Sequence, residues 1–396
     1  MYTIAKRFTR RAAQAGLLAA GIALAACQPT SLGSSGPAIG PQINPSEPVQ
    51  VAMLVPGGTG NPDLDRLGRS LANAGRMAAA DADGAKIDLR IYTATPAESS
   101  AVSAAERAAS EGAKIIIGPL FADSANAVGN AMKDNNLNVL SFSNNTQIAG
   151  GNVYVLGNTF DNIANRLVSY GVDQGLKRFL MLYENDAAGQ VGAAAIESAI
   201  AQNGATLSAR QQHALSQESI DAIIPAVTKA AKGKEIDAIF VTANQQAVLP
   251  YLTNQLNNAG VTSADAQMMG LTRWDIPAAR LQLPGVQGGW FALPDTAMQQ
   301  QFATRYRSAY GEAPHDLASL GYDGVAAIAA LAGSGNRNAV NTVGLTRPAG
   351  FTGVNGVFRL RPNGTNERGM AVATINNGQV VVIDPAPRSF RRGFGF

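Results

Sequence analysis

Cysteine and histidine are scarce in this chain of 396 residues, which contains one cysteine, Cys27, and two histidines, His213 and His315. A single cysteine cannot form an intramolecular disulfide, and a zinc site of the ordinary type takes several cysteine or histidine ligands. No serine lies in the Gly-x-Ser-x-Gly pattern of a nucleophile elbow. These absences disfavour catalysis, and we expect a protein without enzymatic activity, metal or cofactor.

A glycine-rich stretch, "GGTG" at residues 57–60, follows one predicted strand and precedes a predicted helix, as a phosphate-binding loop does. It lacks the downstream glycine of the dinucleotide fingerprint and the Gly-Lys-Ser/Thr of a nucleotide-binding loop. We interpret it as a turn that brings the backbone close to a cleft.

The amino-terminal residues predict export. Four basic residues at positions 6, 7, 10 and 11 precede the apolar run "GLLAAGIALAA" at residues 16–26. That run is about half the length of a membrane-spanning helix, so residues 1–26 are predicted to be a signal peptide. It ends in "LAAC", where small residues before a single cysteine resemble the lipobox of bacterial lipoproteins. The resemblance implies cleavage before Cys27 and a lipid on its sulfur; an ordinary signal peptide with an incidental cysteine is the alternative.

Removal of that leader changes the charge balance. The full chain has 31 Lys+Arg and 28 Asp+Glu, whereas residues 27–396 have 27 basic and 28 acidic residues, a net charge of −1. The basic character of the full chain therefore comes from the discarded segment. Nothing in the remainder predicts binding to nucleic acid.

The rest of the chain predicts an α/β protein with two lobes. Residues 27–48, rich in proline, glycine and serine, predict a flexible tether. Short β-rich runs then alternate with helical segments, which favours βαβ units and parallel sheets buried on both faces. The alternation restarts near residue 158. We assign residues 49–157 and 290–345 to lobe 1, residues 158–289 and 346–385 to lobe 2, and residues 386–396 to a disordered tail.

A binding cleft is expected where the predicted strands end, since ligands of open α/β sheets lie beyond the carboxyl ends of the strands. The loops at those ends are rich in hydroxyl and amide groups. In "GPLFADSANAV" at residues 118–128, Asp123 or Ser124 is expected to cap the following helix. The predicted ligand-binding residues are Phe121, Asp123, Ser124, Ser143, Asn145, Tyr183, Gln245, Thr272 and Arg273.

Four segments together resemble the type I periplasmic binding proteins of the leucine-binding family. They are "IIIGPLFADSANAV", "VLSFSNN", "GYDGVAAIAAL" and "FTGVNGVFRLRPNG" followed by "INNGQVVV". The resemblance covers nearly all of residues 49–384. It implies two Rossmann-like lobes joined by three crossovers, hinge closure on a small solute, and an ABC permease as partner.

The same resemblance predicts how an α-amino acid would be bound. Ser143 and Asn145 fall at positions that hold the ligand carboxylate, whereas Ala122 stands where a serine is usual. The acid expected to hold the ammonium is replaced by Thr272, followed by Arg273, and the expected tyrosine by Gln245 or Gln246. Since an unpaired buried cation costs several kcal/mol, a free α-amino acid is disfavoured, and an amino-acid-like or amide solute is expected.

Lipid-anchored proteins of this fold also include the penicillin-binding protein activators, which the lipobox and the "GPL" loop resemble. That alternative implies a non-enzymatic regulator that contacts a penicillin-binding protein. Gln28, which follows Cys27, is not the aspartate that retains enteric lipoproteins at the inner membrane. We therefore expect a periplasmic protein anchored to the membrane, with the outer membrane favoured.

Overall fold

The computed structural model describes residues 39–243 and 248–390. The predicted signal peptide, Cys27, Gln245 and the last six residues lie outside this part of the chain. Within it, no helix combines the length and the apolar character needed to cross a membrane.

The first sheet is parallel throughout and has the strand order β2-β1-β3-β4-β5. Its strands are β1 (Val49–Pro56), β2 (Ile87–Ala94), β3 (Ile115–Ile117), β4 (Val139–Ser141) and β5 (Val153–Val155). The helices that follow β1, β2 and β3 are α1 (Pro62–Ala80), α2 (Glu98–Ser110) and α3 (Ala122–Ala131). Helix α1 covers one face of the sheet, and α2 and α3 cover the other. The central strands are therefore apolar on both faces.

The second sheet has seven strands in the order β15-β14-β10-β9-β8-β6-β7. These are β6 (Arg178–Glu184), β7 (Thr206–His213), β8 (Ala238–Val241), β9 (Gln267–Gly270), β10 (Trp290–Leu293), β14 (Ala371–Asn376) and β15 (Gln379–Asp384). Helices α4 (Phe160–Asp173) and α5 (Ala187–Gln202) pack on one face, and α6 (Gln217–Lys232) and α7 (Val248–Asn258) on the other.

The hairpin β14–β15 at one edge of this sheet turns at Asn377 and Gly378, both with positive φ. Positive φ at both positions is what a tight two-residue hairpin turn requires. The tight turn predicted from "INNGQVVV" is confirmed.

A small antiparallel sheet and three helices complete the fold. The strands are β11 (Phe351–Gly353), β12 (Gly356–Leu360) and β13 (Asn366–Arg368), and the helices are α8 (Thr296–Tyr310), α9 (Ala318–Gly333) and α10 (Thr342–Leu345). Helix α9 packs on α1 over the first sheet, and α8 joins them through Phe302 and Tyr306. These elements enlarge lobe 1.

Two lobe boundaries differ from the prediction. Strand β10 pairs with β9 and β14 in the second sheet and so belongs to lobe 2. The prediction placed it in lobe 1, which was given residues 290–345. Strands β11 and β12, assigned to lobe 2, place Phe351 and Phe358 in the core of lobe 1. Pattern alone could not assign these short apolar strands, since either core accepts them.

The predicted tether and tail are shorter than expected. Ile43 is buried in the core of lobe 1, and the buried Asn138 donates hydrogen bonds to the Ile39 and Val340 carbonyls. Residues 39–48 therefore pack against the folded body. Beyond β15, Ala386 is buried and Phe390 stacks on the Arg359 guanidinium at 4.6 Å, so the chain contacts the folded body as far as Phe390.

Candidate ligand-binding cleft

A cavity of about 710 Å³ lies where loops from both sheets meet. The residues that line it follow the carboxyl ends of β3, β4, β5, β9 and β10 or come from the segments that join the lobes. Most of the lining is apolar: Leu120, Phe121, Ala122, Phe142, Phe160, Ile163, Leu271, Ile276, Ala292, Pro294, Leu317, Leu320 and Met370. The position and size are those of a small-molecule site.

Ser143 and Asn145 both line this cavity, in a loop built from successive side-chain turns. The Ser143 N–H donates to the Ser141 hydroxyl at 3.1 Å, and the Asn145 N–H donates to the Ser143 hydroxyl at 3.1 Å. The Asn145 side-chain oxygen in turn accepts from the Gln147 N–H at 2.9 Å. Short polar side chains commonly fold loops this way. The Ser143 hydroxyl donates no hydrogen bond to the described residues, so its proton is available to a ligand in the cavity.

Close approach of the backbone fixes the Ser143 loop against the next strand. The Gly157 N–H donates to the Ser143 carbonyl at 3.1 Å. A Cβ atom at Gly157 would lie 2.7 Å from that carbonyl oxygen, so a larger residue would push the loop away. The glycine keeps Asn158, which also lines the cavity, next to the serine loop.

Only one of the three predicted residues at the start of α3 reaches the cavity. Phe121 lines it, whereas Asp123 is exposed outside it, and the buried Ser124 donates its hydroxyl to the Pro96 carbonyl at 2.9 Å. The N-cap is Phe121, without a side-chain cap, so the prediction that Asp123 or Ser124 caps the helix is wrong. Helix α3 begins at Ala122, before either residue, so neither can occupy the cap position.

Thr272 and Arg273 line the opposite wall, in the loop after β9. The Thr272 hydroxyl donates to the Ala243 carbonyl at 3.1 Å, and Arg273 forms a two-bond ion pair with Asp275. Trp274, which lies between Arg273 and Asp275 in the sequence, is fully buried. The indole ring therefore anchors the loop that presents both cleft residues.

Tyr183 does not line the cavity, because it packs half-buried against the core of lobe 2. Gln245 lies outside the described residues. The structure adds polar lining residues that the sequence did not single out: Asn144, Asn158, Gln299, Asp316, Ser319 and Asn355. Asn158 was within reach of the same reasoning, since it follows β5 as Ser143 follows β4. Gln299 and Asn355 come from segments that only the tertiary fold brings to the cleft.

A buried ion pair lies behind the cavity, where the segments joining the lobes converge. Arg368 Nη1 donates to Asp323 Oδ2 at 2.9 Å, and the two side chains are 3% and 0% exposed. Arg368 also donates from Nε and Nη2 to the Leu156 carbonyl, at 2.9 and 2.6 Å. Asp323 accepts from the Val354 N–H and from Asn355. The pair thus joins helix α9 to the end of β13 and to the segment after β5, which both lead from lobe 1 into lobe 2.

Burial raises the pKa of the Asp323 carboxyl, and Arg368 together with the neutral donors opposes that shift. Asn366 adds a second connection, since its amide donates to the carbonyls of Val155 and Gly157 at 2.8 Å each. Gly157 and Asn355 also line the cavity. The hydrogen bonds around Asp323, Arg368 and Asn366 are therefore connected to the cavity lining.

Neither histidine belongs to the cavity. His213 is buried at the end of β7, and His315 is half-buried, where burial lowers its pKa. Among residues 39–243 and 248–390, no three His, Cys, Asp or Glu side chains are grouped to hold a metal ion.

The family model described as periplasmic binding protein matches residues 48–379. A search of curated protein sequences gave no match. Since the family model spans most of the chain, the chain belongs to the periplasmic binding protein family. The members of this family are non-enzymatic solute-binding proteins, and membership implies a periplasmic location. The resemblance to type I periplasmic binding proteins of the leucine-binding family is confirmed.

Solved structures share the fold. A Rhodospirillum rubrum protein provisionally named as a branched-chain amino acid ABC transporter has a TM-score of 0.72 at 16% identity, covering 85% of this chain and 100% of that one. A Desulfitobacterium hafniense ABC transporter substrate-binding protein in complex with leucine has a TM-score of 0.62 at 18% identity, with coverages of 85% and 100%. An ABC transporter solute-binding protein from R. palustris in complex with benzoate has a TM-score of 0.55 at 16% identity, with coverages of 88% and 98%. At these identities the likeness shows the fold alone.

Proposed function

We propose that this protein binds a small solute with an apolar body and a polar head in the cleft, and delivers it to an ABC permease. The cavity between the lobes carries the proposal, since apolar side chains from both lobes surround a few oriented polar groups. Such a lining is typical of small-molecule sites, in which the polar groups fix the orientation of the ligand.

The lining also indicates how the solute lies. The Ser143 hydroxyl can donate to an acceptor on the head group, while Phe121 and Phe142 enclose the body beside it. The fold itself accommodates different solutes, because neighbours that share it were solved with leucine and with benzoate. The residues of this cleft must therefore decide the ligand.

Replacing Ser143 by alanine tests the proposed orientation. Loss of one hydrogen bond is worth about 1 kcal/mol, so affinity for the bound solute should fall roughly fivefold. The measurement is calorimetric titration with compounds chosen from a thermal-shift panel of branched-chain and aromatic amino acids, their amides and their desamino acids. Ser208→Ala, on the exposed side of the edge strand β7, is the matched control and should bind as the wild type does. Equal affinities for Ser143→Ala and the wild type would contradict the orientation.

A second candidate function, activation of a penicillin-binding protein, is favoured by "LAAC" and by Thr272 and Arg273 at the place of the expected acid. In that case the surface acts and the cleft is vestigial. We propose lipidation at Cys27 for both candidates, which the intact mass of the mature protein tests. An unlipidated mass would exclude the anchor. A panel that leaves the melting temperature unchanged, while a penicillin-binding protein co-purifies, would favour this second function over transport.

A further inference from the structure

The lobe 2 wall of the cleft carries an Arg–Asp pair whose guanidinium is only partly satisfied. Arg273 donates from Nε to Asp275 Oδ1 at 2.6 Å and from Nη2 to Asp275 Oδ2. Nη1 makes no hydrogen bond to the described residues, and the Arg273 side chain is 34% exposed while Asp275 is 13% exposed. A guanidinium has five N–H donors, so Arg273, which lines the cavity, retains donors that Asp275 does not use.

A second arginine lies beneath this pair. Arg280 is 6% exposed and donates from Nη1 to the Arg273 carbonyl at 3.3 Å. Burial lowers the pKa of Arg280, while the Asp275 charge opposes that shift. An arginine side chain nevertheless stays protonated in proteins. Arg273, Arg280 and Asp275 together carry a net charge of +1, so this wall is positively charged.

One acid, Asp316, lies among the described residues of the cavity lining, on the lobe 1 side. It is exposed and precedes α9, next to the half-buried His315. The charges of Arg66 and Asp63 also act on this histidine. Solvent screens an exposed charge far more than a partly buried one. The positive wall of lobe 2 therefore dominates the electrostatics inside the cavity.

We infer that the solute is a monocarboxylate or a similar planar anion without an ammonium group, and that Arg273 determines this specificity. The inference rests on the proposed function, because it names the chemical class of the solute held in the same cavity. Planar anions match the fork of a guanidinium and form charge-assisted hydrogen bonds with it. The Ser143 hydroxyl can donate to the same anion from lobe 1, so one head group would be held from both lobes. An ammonium group near Arg273 would instead be repelled.

Four compounds with the same hydrocarbon body separate the possible head groups. Leucine is a zwitterion, 4-methylpentanoate an anion, 4-methylpentanamide neutral and 3-methylbutylamine a cation. In calorimetric titrations of the wild-type protein at pH 7, 4-methylpentanoate should bind about tenfold or more tightly than the amide, since hydrogen bonds to charged groups exceed neutral ones. Its affinity should fall with added salt, whereas that of the amide should not.

Arg273→Met should lower the affinity for 4-methylpentanoate more than that for the amide, so that the preference for the acid over the amide is lost. A circular dichroism spectrum and a melting temperature like those of the wild type show that the variant is folded. Arg305→Met removes an arginine from an exposed pair with Asp81 and is the matched control, with no expected change in either affinity. If Arg273→Met does not fold, the head-group preference and salt dependence of the wild type still decide the inference.

Three results would overturn the inference. The first is that the wild type binds the acid and the amide with equal affinity. The second is that Arg273→Met binds the acid as tightly as the wild type does. The third is that leucine or the amine binds most tightly and that Asp316→Asn loses this binding. In each of these cases a compound binds, so the proposed function survives. Failure of every compound in this series and in the wider panel to bind the wild type would remove the proposed function as well.

Discussion

Arg368→Met is expected to lower the free energy of unfolding by about 3–5 kcal/mol at pH 7, because removing one partner of a buried ion pair leaves the other charge unpaired. Asp323 is fully buried, and Arg368 is its one cationic partner among the described ion pairs. Methionine fills part of the same volume without a charge. The Leu156 carbonyl also loses both of its guanidinium donors. Urea denaturation followed by circular dichroism measures the change.

The pH dependence of this effect has a definite sign. Burial raises the pKa of Asp323 above its ordinary value of 3.8, and Arg368 opposes that shift, so removing Arg368 raises the pKa further. A carboxyl whose pKa is higher in the folded than in the unfolded state lowers the free energy of unfolding at any pH above its unfolded pKa. This loss disappears as the pH falls towards the unfolded pKa. The stability difference between the wild type and Arg368→Met should therefore be largest at pH 7 and should shrink as pH is lowered towards 4.

Two comparisons make the test of the buried pair specific. The double variant Arg368→Met with Asp323→Asn should be more stable at pH 7 than Arg368→Met alone, since no buried charge remains. Arg210→Met removes an arginine from an exposed pair with Glu197 and should leave the unfolding midpoint essentially unchanged. A stability loss for Arg368→Met that is independent of pH, or not relieved in the double variant, would argue against an unpaired Asp323 as its cause.

Trp274→Ala is expected to cost about 3–5 kcal/mol of stability, the range for removing a large buried aromatic side chain. The indole fills a gap between two glycines. A Cβ atom at Gly270 would lie 2.1 Å from its Nε1, and one at Gly289 would lie 2.0 Å from its Cζ3. Because both neighbours are glycines, few side-chain atoms are available to fill the cavity that alanine leaves. Thermal and urea unfolding provide the measurement.

The same substitution should also weaken binding, because Trp274 anchors the loop that carries Thr272 and Arg273. Trp274→Phe retains a ring in the gap and should recover part of both losses. Ile276→Ala, two residues along the loop at a side chain that is 43% exposed, is the control for stability and should change it by about 0.5 kcal/mol or less. If Trp274→Ala unfolds at the wild-type midpoint, the anchoring role is wrong.

The sequence predicted the strands and helices well because this fold repeats a strong local pattern. Strands such as "VQVAMLV" and "KRFLMLYEN" are apolar on both faces, as buried parallel strands require, and each is followed by a helix of recognisable period. The Asn-Gly hairpin was predictable because the turn type dictates its residues. The short strands β11 and β12 were harder to assign, since their partners are distant in sequence.

The candidate site was predictable only in part. Polar residues after parallel strands identified Ser143, Asn145 and Thr272 at the cavity, because the strand ends of a sheet share one edge. The same rule placed Asp123, Ser124 and Tyr183 there too, yet their side chains point to solvent, to the Pro96 carbonyl and to the core.

Most of the apolar lining of the cavity was missed because, apart from Phe121 and Tyr183, only polar residues were taken as signals. Side chains such as Phe142, Ile163 and Met370 line it, and each also reads as an ordinary core residue. The ion pairs of Arg273 and Arg368 depend on partners that only the folded chain identifies.

A distance measured across the cleft shows whether a solute binds between the lobes and closes them. Asp123 and Asn185 are exposed beyond the ends of strands in lobe 1 and lobe 2, and neither lines the cavity. Since Cys27 is the only native cysteine, Asp123→Cys and Asn185→Cys in a Cys27→Ser background accept spin labels at these two sites alone. Pulsed electron–electron double resonance then reports the distance between the two labels. It is measured with and without the panel compound that raises the melting temperature most. We expect a shorter distance with the compound bound; an unchanged distance at saturation would contradict closure of the lobes on the solute.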